Sequence, residues 1–233
     1  MKISIIIPTY NEEEHIERII AYLKKYAVSQ HLEEIIVVDG WSSDNTLFLA
    51  QKAGARIFKM DNKSRPGQMN KGAQMAKGDV VYFLHADTLP PKNFSTDIFH
   101  ALEKGFVGGT FRLRFDRDHW LLNAFCWFTR FNINMFRFGD QSLFVKKEIF
   151  DFARGFNTKL RIMEDQEIIG RIKKFGQFTV LKNPVTTSAR KFEINGNVRL
   201  FMIFLRIFFM YKMGVSQDSL VSYYRKHIKE GKI

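Results

Sequence analysis

Gly78-Asp79-Val80-Val81-Tyr82-Phe83-Leu84-His85-Ala86-Asp87-Thr88-Leu89-Pro90 is the stretch that decides the fold of this chain. Its run from Val80 to Leu84 is apolar, β-branched and aromatic, which is typical of a strand buried on both faces. Alternate residues of an extended chain point the same way, so we expect His85 and Asp87 to project together from the carboxyl end of this strand. Ligands of open parallel sheets bind beyond that end. The stretch indicates either a metal site, with Asp87 holding a divalent cation against a diphosphate, or a turn with Asp87 capping a helix that begins near Pro91.

Length and composition favour a globular protein. A chain of 233 residues can bury a full core as one large domain, or as one domain with an appendage, and its 45% apolar content excludes global disorder. The single cysteine, Cys126, permits no internal disulfide and suits a reducing compartment, so we expect a cytoplasmic protein. The first apolar run, Ile3 to Ile7, is too short for the core of a signal peptide and is better interpreted as a strand.

The charge balance indicates an anionic partner. With 36 basic and 24 acidic residues the net charge is +12, which suits a nucleic acid, a phosphorylated ligand or an anionic membrane. The last 52 residues, from Lys182 to Ile233, carry ten basic and three acidic side chains, a net charge of 10 − 3 = +7. Nucleic acid is the weakest of the three explanations, because the aromatic residues are bunched in apolar runs and no recognition motif is present.

Strand and helix patterns alternate through the first part of the chain. Apolar strand runs at Ile3 to Ile7, Ile35 to Val38, Ala55 to Phe58 and Val80 to Leu84 are separated by segments with helical spacing. This alternation predicts right-handed βαβ units and a parallel sheet. The predicted class is therefore α/β, with a Rossmann-like, mostly parallel sheet flanked by helices and followed by a C-terminal helical segment.

Three loops of this predicted sheet meet at one edge. They follow the first, second and fourth strands and span Pro8 to Glu12, Asp39 to Asp44, and His85 to Thr88. The first βα turn has no Gly-x-Gly-x-x-Gly, and the chain has no Gly-x-x-x-x-Gly-Lys-Ser/Thr, which argues against a hydride-transferring Rossmann enzyme and a P-loop NTPase. Asp39 can accept hydrogen bonds from a base or a ribose, and Asp87 can hold a metal, with the basic Arg65 on a loop between them.

Several ordered motifs resemble those of family 2 glycosyltransferases. They are Ile5-Ile6-Ile7-Pro8-Thr9-Tyr10-Asn11-Glu12, Val37-Val38-Asp39-Gly40-Trp41-Ser42-Ser43-Asp44-Asn45-Thr46, Asn70-Lys71-Gly72 and Phe83-Leu84-His85-Ala86-Asp87. The resemblance covers roughly residues 3 to 190 and implies a GT-A fold that uses nucleotide-diphosphate sugars with inversion. The combination of Arg65 to Asn70, Leu84 to Thr88, Gly139-Asp140-Gln141 and Thr187-Ser188-Ala189-Arg190 is similar to a subgroup of small, single-domain members whose acceptors are unassigned.

The resemblance implies a role for each part of the site. The nucleotide side would comprise Pro8, Thr9, Tyr10, Glu12, Asp39 and Arg65. Glu164-Asp165 matches the Glu-Asp pair in which the aspartate deprotonates the acceptor hydroxyl, whereas for an anonymous sequence these acids would simply be solvated in the first turn of a helix. Arg190 and Lys191 are candidates for contact with the diphosphate. The processive Gln-x-x-Arg-Trp box is absent, which favours single sugar additions.

His85 departs from the family pattern. It occupies the position usually held by the first aspartate of the metal-binding Asp-x-Asp, of which Asp87 is the last. Magnesium and manganese both prefer oxygen ligands, and imidazole is tolerated better by manganese. His85 therefore either binds the metal weakly, or hydrogen-bonds a phosphate or a carboxylate, or merely ends a strand.

Two apolar segments leave alternatives open. Trp120, Ala124, Trp127 and Phe131, in a stretch that runs on to Phe138, fall at helical spacing, which predicts a helix packed against the sheet or, as second choice, an interface with lipid. The run from Leu200 to Tyr211 is too short to span a bilayer and contains Arg206. It is interpreted as an interfacial helix on an anionic membrane or as a helix covering the catalytic domain.

The sequence thus predicts a GT-A glycosyltransferase domain over residues 1–195 and a basic, apolar helical appendage over residues 196–233. The predicted activity is metal-dependent, inverting transfer from a nucleotide-diphosphate sugar to an unidentified acceptor, which could be lipid-linked, on the inner face of the cell membrane. Two alternatives stay open. One is a sugar-phosphate nucleotidyltransferase, disfavoured because the first βα turn lacks a Gly-rich phosphate loop. The other is a sugar-nucleotide-binding or membrane-associated module with a degenerate site.

Overall fold

The computed structural model of the chain describes residues 1–137 and 139–229. Phe138 and the last four residues of the predicted C-terminal segment lie outside the described residues. The strands are β1 (Ile3–Thr9), β2 (Leu32–Asp39), β3 (Arg56–Lys59), β4 (Val80–Phe83), β5 (Thr88–Leu89), β6 (Gly108–Phe115), β7 (Leu143–Lys146) and β8 (Phe178–Thr187). The helices are α1 (Glu13–Tyr26), α2 (Thr46–Lys52), α3 (Arg65–Met75), α4 (Phe94–Glu103), α5 (Trp120–Phe128), α6 (Lys147–Phe152), α7 (Glu164–Ile172), α8 (Arg190–Asn195), α9 (Asn197–Lys212) and α10 (Gln217–His227). Short 3₁₀ turns lie at Asn134–Phe136 and Gly139–Gln141.

The described strands form one sheet in the order β3-β2-β1-β4-β7-β6-β8-β5. Strands β3, β2, β1 and β4 run parallel, and Ile5 of β1 faces Ile35 of β2 on one side and Tyr82 of β4 on the other. Every residue of β1 is buried, as the continuous apolar run predicts for a central parallel strand. The predicted parallel half of the sheet is confirmed, with the third strand displaced by one residue and the fourth ending at Phe83.

The second half of the sheet is mixed. Strand β7 is antiparallel to both β4 and β6, whereas β8 is parallel to β6 and antiparallel to β5. The sequence analysis did not predict β8. Its pairing with β6 shifts register between Phe111 and Arg112, and its middle, from Lys182 to Pro184, is exposed, so β8 shows no steady alternation of apolar and polar residues.

Helices cover both faces of the sheet. Alternate residues of β1 point to opposite layers, so Ile5 packs into a core with α1, α4, α9 and α10. Ile6 packs into a second core with α3, α6 and α7. The segment after Gly196 belongs to the first of these layers, because Leu200 and Ile203 of α9 pack in the same cluster as β1.

Helix α5 forms as predicted, but it does not turn the predicted face to the sheet. Its buried residue is Leu122, whereas Trp120 is 72% exposed, Trp127 is 47% exposed and Ala124 is exposed. The helix ends at Phe128, so Phe131 lies beyond it and is also exposed. The spacing identified a real helical face, but that face is the outer one, because almost every residue of α5 is apolar and either side could have packed inward.

Helix α9 has one buried side and one exposed side along its length. Leu200, Ile203 and Ile207 are buried, so the run from Leu200 to Tyr211 contributes to the core rather than lying wholly on a surface. Its opposite side exposes Met202 and Phe209. No helix within residues 1–137 and 139–229 is long and apolar enough to cross a membrane.

Candidate active site

Asp39 lies at the carboxyl end of β2 and is fully buried. Its carboxylate accepts hydrogen bonds from the Thr9 hydroxyl at 3.2 Å, from the Ser42 backbone N–H at 2.9 Å and from the Ser42 hydroxyl. The Gln68 amide joins the same two strands by donating to the carbonyl oxygens of Thr9 and Val38, each at 2.8 Å. The predicted nucleotide-binding acid is therefore held rigidly by neutral donors from the β1 and β2 ends.

The loops after β1 and β2 are fastened to each other. The Asn11 backbone N–H donates to the Ser42 hydroxyl at 2.9 Å, and the Glu12 N–H donates to the Thr46 hydroxyl at 2.8 Å. Asn11 and Trp41 both have positive φ angles, 52° and 72°, which are costly for residues other than glycine. Such strain persists only where the surrounding contacts enforce it, so this edge of the sheet has a defined shape.

Two rings with lysines close by border this edge. The Lys63 ammonium lies 4.2 Å from the centre of the Tyr10 ring, and that of Lys59 lies 4.9 Å from the Trp41 ring. Both distances fit cation–π contacts. Pro8 lines the small pocket described below, so the predicted residues Pro8, Thr9, Tyr10 and Asp39 do lie at one edge.

Arg65 and the Glu164-Asp165 pair form an ionic cluster across the sheet's carboxyl edge. The Arg65 Nε lies 2.6 Å from Glu164 Oε1, its Nη2 contacts the same oxygen, and Nη2 lies 3.2 Å from Asp165 Oδ2. Glu164 is fully buried, and its Oε2 has no hydrogen-bond partner in the part of the chain that the structure describes. Met163, just before α7, is left-handed at φ 72°. Arg65, which we predicted on the nucleotide side, makes its charged contacts in this structure with these two acids.

This cluster shifts the pKa of its members. Burial and then the charge of Glu164 raise the pKa of Asp165 to about 7, although Arg65 opposes the shift. Desolvation disfavours the charged guanidinium, but Glu164 and Asp165 together raise the pKa of Arg65 above its usual value. A carboxylate that ionises near neutral pH is suited to accept a proton.

His85 and Asp165 approach the same glycine. A Cβ atom built on Gly139 would lie 2.5 Å from Asp165 Oδ2 and 3.0 Å from His85 Nε2, so only glycine leaves room for both side chains. Pro8, His85, Gly139 and Asp165 line one small pocket together with Thr110 and several apolar residues. Burial and the charge of Arg65 lower the pKa of His85, so its imidazole is neutral at pH 7 and carries a free lone pair.

Asp87 and His85 differ in burial because the chain turns after β4. The Thr88 N–H donates to the His85 carbonyl at 3.2 Å, so residues 85–88 do not continue the extended alternation that would project both side chains together. His85 is half-buried and Asp87 is exposed. Among the described residues, no group of three or more His, Cys, Asp and Glu side chains is arranged to hold a metal ion.

The donor set of His85 and Asp87 fits a divalent cation only in part. A neutral imidazole and an exposed carboxylate can serve as two ligands, whereas Mg²⁺ or Mn²⁺ takes about six. The remaining positions would go to phosphate oxygens and water. The two residues therefore fit a metal that binds together with a diphosphate rather than alone.

The end of β8 brings the predicted diphosphate residues to the same turn. Thr187 pairs with Thr88 of β5, and their hydroxyls lie 3.0 Å apart. Arg190, exposed, and Lys191, half-buried, begin α8 three and four residues after Thr187. Since Thr88 directly follows Asp87, this β-pairing places the end of β8 next to the turn that carries Asp87.

Sequence reasoning missed several residues of this site. Gly139 was noted only as part of a motif, and its closeness to His85 and Asp165 follows from packing. Gln68 was included only within the Arg65 to Asn70 motif, and no role was predicted for it. Arg137, between two apolar stretches, is fully buried and donates to the Thr110 hydroxyl at 2.8 Å. An arginine inside an aromatic stretch is a signal that could have suggested a buried hydrogen-bonding residue of this kind.

A largely parallel sheet with paired acids, an arginine that contacts them and a neutral histidine at its carboxyl edge defines an α/β protein with a polar ligand site at that edge. Residues 4–160 match the model of glycosyl transferase family 2. That match spans more than half of the chain, so the chain belongs to glycosyl transferase family 2.

Curated relatives agree with this membership. The chain is 32% identical over 110 residues to dolichol-phosphate mannosyltransferase of Pyrococcus furiosus, covering 45% of this chain and 31% of that protein. It is 31% identical over 128 residues to undecaprenyl-phosphate 4-deoxy-4-formamido-L-arabinose transferase of Proteus mirabilis, covering 51% of this chain and 39% of that protein. The chain thus spans well under half the length of both relatives.

Solved structures are similar over a larger part of the chain. Staphylococcus aureus TarS 1–349 in complex with UDP superposes with a TM-score of 0.68 at 20% identity, covering 81% of this chain and 60% of that one. The mannosyltransferase PcManGT of Pyrobaculum calidifontis, in complex with GDP-Man and Mn²⁺, gives 0.64 at 18% identity over 80% of this chain and 56% of that one. These likenesses confirm the predicted GT-A fold.

Proposed function

We propose that this chain transfers a sugar from a nucleotide-diphosphate sugar to a nucleophilic oxygen of an acceptor, with inversion at the anomeric carbon. The observation that carries the proposal is Asp165, whose pKa is raised to about 7 at the mouth of a pocket shared with His85. In the transfer, the acceptor oxygen bonds to the anomeric carbon while the bond to the diphosphate oxygen breaks. The acceptor proton goes to Asp165, and the bonding electron pair leaves with the diphosphate.

Glu164 and Arg65 would act as positioning residues. Arg65 clamps Glu164 by two contacts and reaches Asp165 by one, so it sets the orientation of the base. Burial, together with the charge of Glu164, keeps the pKa of Asp165 high enough for it to accept a proton near pH 7. The buried Glu164 Oε2 has no hydrogen-bond partner among residues 1–137 and 139–229, which leaves it available to a donor that arrives with the acceptor.

The donor would bind at the β1–β2 edge. Asp39 would receive the base or ribose, with Pro8, Thr9, Tyr10 and Glu12 beside it, and Arg190 and Lys191 would face the diphosphate. A divalent cation, Mn²⁺ or Mg²⁺, would neutralise the charge that grows on the leaving diphosphate. His85 and Asp87 would hold that cation jointly with the diphosphate oxygens. The Mn²⁺ in the PcManGT structure supports this choice of ion.

The acceptor would be lipid-linked, and the protein would work at the cytoplasmic face of an anionic membrane. Two relatives are named for dolichol phosphate and undecaprenyl phosphate, which supports an acceptor of this class. We expect single additions, because the processive sequence box is absent. Residues 196–229 pack on the core of the first 195 residues, which supports one folding unit rather than a separate appendage.

The first test is isothermal titration calorimetry with a panel of nucleoside diphosphates, with and without Mn²⁺. The protein is then incubated with a membrane lipid extract and labelled sugar donors of the nucleotide that binds most tightly, and transfer of the labelled sugar to lipid is measured. We expect metal-enhanced nucleotide binding, label in the lipid phase, and a product anomer opposite to that of the donor.

Other outcomes would separate the alternatives. Release of pyrophosphate from a nucleoside triphosphate and a sugar phosphate would instead identify a nucleotidyltransferase. Nucleotide binding with no turnover on any extract would identify a binding module with a degenerate site. A retained anomer would refute the direct displacement by an oxygen that Asp165 activates.

A further inference from the structure

Helices α5 and α9 both carry an exposed apolar face. On α5 and the residues that follow it, large apolar side chains point away from the core. On α9 and its C-terminal cap, four apolar side chains at spacings of four, seven and four residues do the same. We call this set the α5–α9 surface; its members are Trp120, Trp127, Phe128, Phe131, Ile133, Val198, Met202, Phe209 and Met213. Met202 is 55% exposed and Phe209 is 52% exposed, so these residues are uncovered rather than partly packed.

The two halves of this surface adjoin each other. Phe125 of α5 packs edge-on against Phe201 of α9, with ring centres 5.8 Å apart. Leu122 of α5 and Ile203 of α9 are buried in one hydrophobic cluster. Each helix is therefore anchored through one side, and its remaining apolar side is exposed, although some of its rings contact one another, as Trp127 and Phe131 do with centres 5.1 Å apart. A contiguous exposed apolar area of this kind is costly in water and marks an interaction site.

The charged residues within the two chain stretches that form the α5–α9 surface are all basic. No aspartate or glutamate occurs from His119 to Arg137 or from Asn197 to Gln217. Within these stretches Arg130, Arg199, Arg206 and Lys212 are exposed.

Nearby acids are engaged elsewhere. Glu193 pairs with Arg117, Asp218 pairs with Arg161, and Asp118 accepts from the Asn123 amide at 2.6 Å. The surface is thus apolar and carries exposed cations, and two of the three nearby acids are held in ion pairs.

We propose that the α5–α9 surface docks on an anionic lipid membrane. Apolar side chains would enter the boundary between headgroups and acyl chains, while the cations would meet lipid phosphates. A second copy of this chain fits less well, because a symmetric pairing brings the same arginines and lysines together across the interface. This inference refines the general prediction for α9. The docking face is the Met202–Phe209 side, joined by α5, whereas Phe204 packs against Phe192 at 6.0 Å.

The docking surface is connected to the pocket of the candidate base through the chain segment between them. Residues 129–137 link the exposed aromatics to α7: the Gln166 amide donates to the Met135 carbonyl at 3.3 Å, and the Lys173 ammonium donates to Asn134 Oδ1 at 2.6 Å. The buried Arg137 donates a hydrogen bond to the Thr110 hydroxyl, and Thr110 lines the pocket together with Asp165. Docking here would bring a lipid-linked acceptor to the Asp165 side of the site. This last step rests on the proposed function, whereas the membrane contact does not.

The primary test uses the chain's own tryptophans. The sequence has three, of which Trp120 and Trp127 lie on the surface and Trp41 lies at the donor edge. A Trp41→Phe variant therefore reports only on α5. With phosphatidylglycerol vesicles that contain brominated acyl chains, we expect quenching of its fluorescence and sedimentation of the protein with the vesicles. Phosphatidylcholine vesicles and high salt should weaken both effects.

A matched pair of variants tests α9. Met202→Gln/Phe209→Ser removes two exposed apolar side chains, so we expect its partition coefficient onto anionic vesicles to fall at least about tenfold. Phe48→Ser is the control, because Phe48 of α2 is 64% exposed but lies outside the surface; its partition should equal that of the intact protein. Thermal melts establish that each variant is folded.

Three results would overturn the proposal. One is unquenched Trp120 and Trp127 fluorescence in a vesicle pellet, and another is a Met202→Gln/Phe209→Ser variant that binds vesicles like the intact protein. The third is a concentration-dependent dimer that forms without lipid and that the same variant abolishes. Nucleotide binding is measured in parallel by calorimetry. If nucleotide fails to bind while vesicle docking holds, the proposed transferase function falls and the docking surface stands.

Discussion

Asp39 and Glu164 are both fully buried carboxylates near the carboxyl edge of the sheet, but their surroundings differ. Asp39 accepts from two hydroxyls and one backbone N–H, all neutral, supplied by Thr9 and Ser42. Glu164 faces the Arg65 cation with one oxygen, while its other oxygen has no hydrogen-bond partner among the described residues. At the β1–β2 edge, where we propose that the sugar donor binds and which we call the donor edge, the carboxylate has hydrogen-bond partners and a fixed position. At the start of α7, which we call the α7 edge, the charges of the Arg65–Glu164–Asp165 cluster are incompletely balanced.

This difference indicates a division of labour. Fixed neutral donors suit binding, because they hold a carboxylate in one orientation without altering its charge. Desolvated charges in contact suit proton transfer, because they move a pKa toward neutrality. We expect substitutions at the donor edge to change affinity and stability, and those at the α7 edge to change turnover.

The largest effect is expected at Asp165. Asp165→Asn keeps the shape but removes the proton acceptor, so turnover should fall about 100-fold or more. Nucleotide affinity by calorimetry should stay within twofold, roughly the precision of such a comparison. Turnover of the unmodified chain should rise as the pH passes about 7, where Asp165 ionises, and this rise should vanish in the variant. Near-normal turnover of Asp165→Asn would remove Asp165 from the role of base.

A second test concerns Asp39, the buried carboxylate of the donor edge. Asp39→Asn turns an amide N–H toward the Ser42 N–H, and a buried mismatch of this kind costs about 1–3 kcal/mol. We expect nucleotide affinity to fall about tenfold, together with a lower melting temperature, while turnover at saturating donor changes little. Asp151→Asn, an exposed surface acid, is the matched control. If turnover collapses but affinity does not, the two edges do not divide binding from chemistry.

The dependence of nucleotide affinity on metal should arise from residues in the turn after β4. Asp87→Ala should abolish the increase in nucleotide affinity that Mn²⁺ produces, while metal-free affinity is retained. His85→Ala should reduce that increase only in part. In the absence of nucleotide, Mn²⁺ should bind the intact chain weakly, since the described residues offer no third protein ligand. Undiminished metal enhancement in Asp87→Ala would mean that Asp87 is not a ligand.

The smallest effect is a pH-dependent change in stability. The folded pKa of Asp165, about 7, lies above the unfolded value, so its contribution is most favourable at low pH and is lost as the pH rises through 7. Asp165→Asn should therefore raise the melting temperature at pH 8, by about 2–4 °C for each kcal/mol of unfavourable free energy that is removed with the buried charge. The gain should shrink toward pH 4. Melts are recorded with a chelator, and a constant difference across this range would contradict the raised pKa.

Much of the fold could be predicted from local pattern. The continuous β-branched runs of β1, β2 and β4 are signals of buried parallel strands, and the helices between them follow from apolar spacing. Strand β8 could not be predicted in this way. Its register shift opposite Arg112 and its exposed middle remove the alternation on which such predictions depend.

The helical spacing of α5 illustrates a second limit. It identified a common face for Trp120, Ala124 and Trp127, but a helix that is apolar on all sides does not specify which side packs inward. The core contacts of Leu122 and Phe125 decided the question. The face that the spacing predicted to pack against the core is therefore exposed in the structure.

By itself, the sequence determined the α/β class, the parallel strands of the first half of the sheet and the set of acids at their carboxyl ends, because these depend on residues close together in the chain. Only the tertiary structure joined Arg65 to Glu164, which is 99 positions away, and brought Gly139 against both His85 and Asp165. The partial ligand set at His85 and Asp87 and the raised pKa of Asp165 were likewise decided by packing. Burial and electrostatic coupling depend on what surrounds a group in three dimensions, and spacing along a chain does not encode those neighbours.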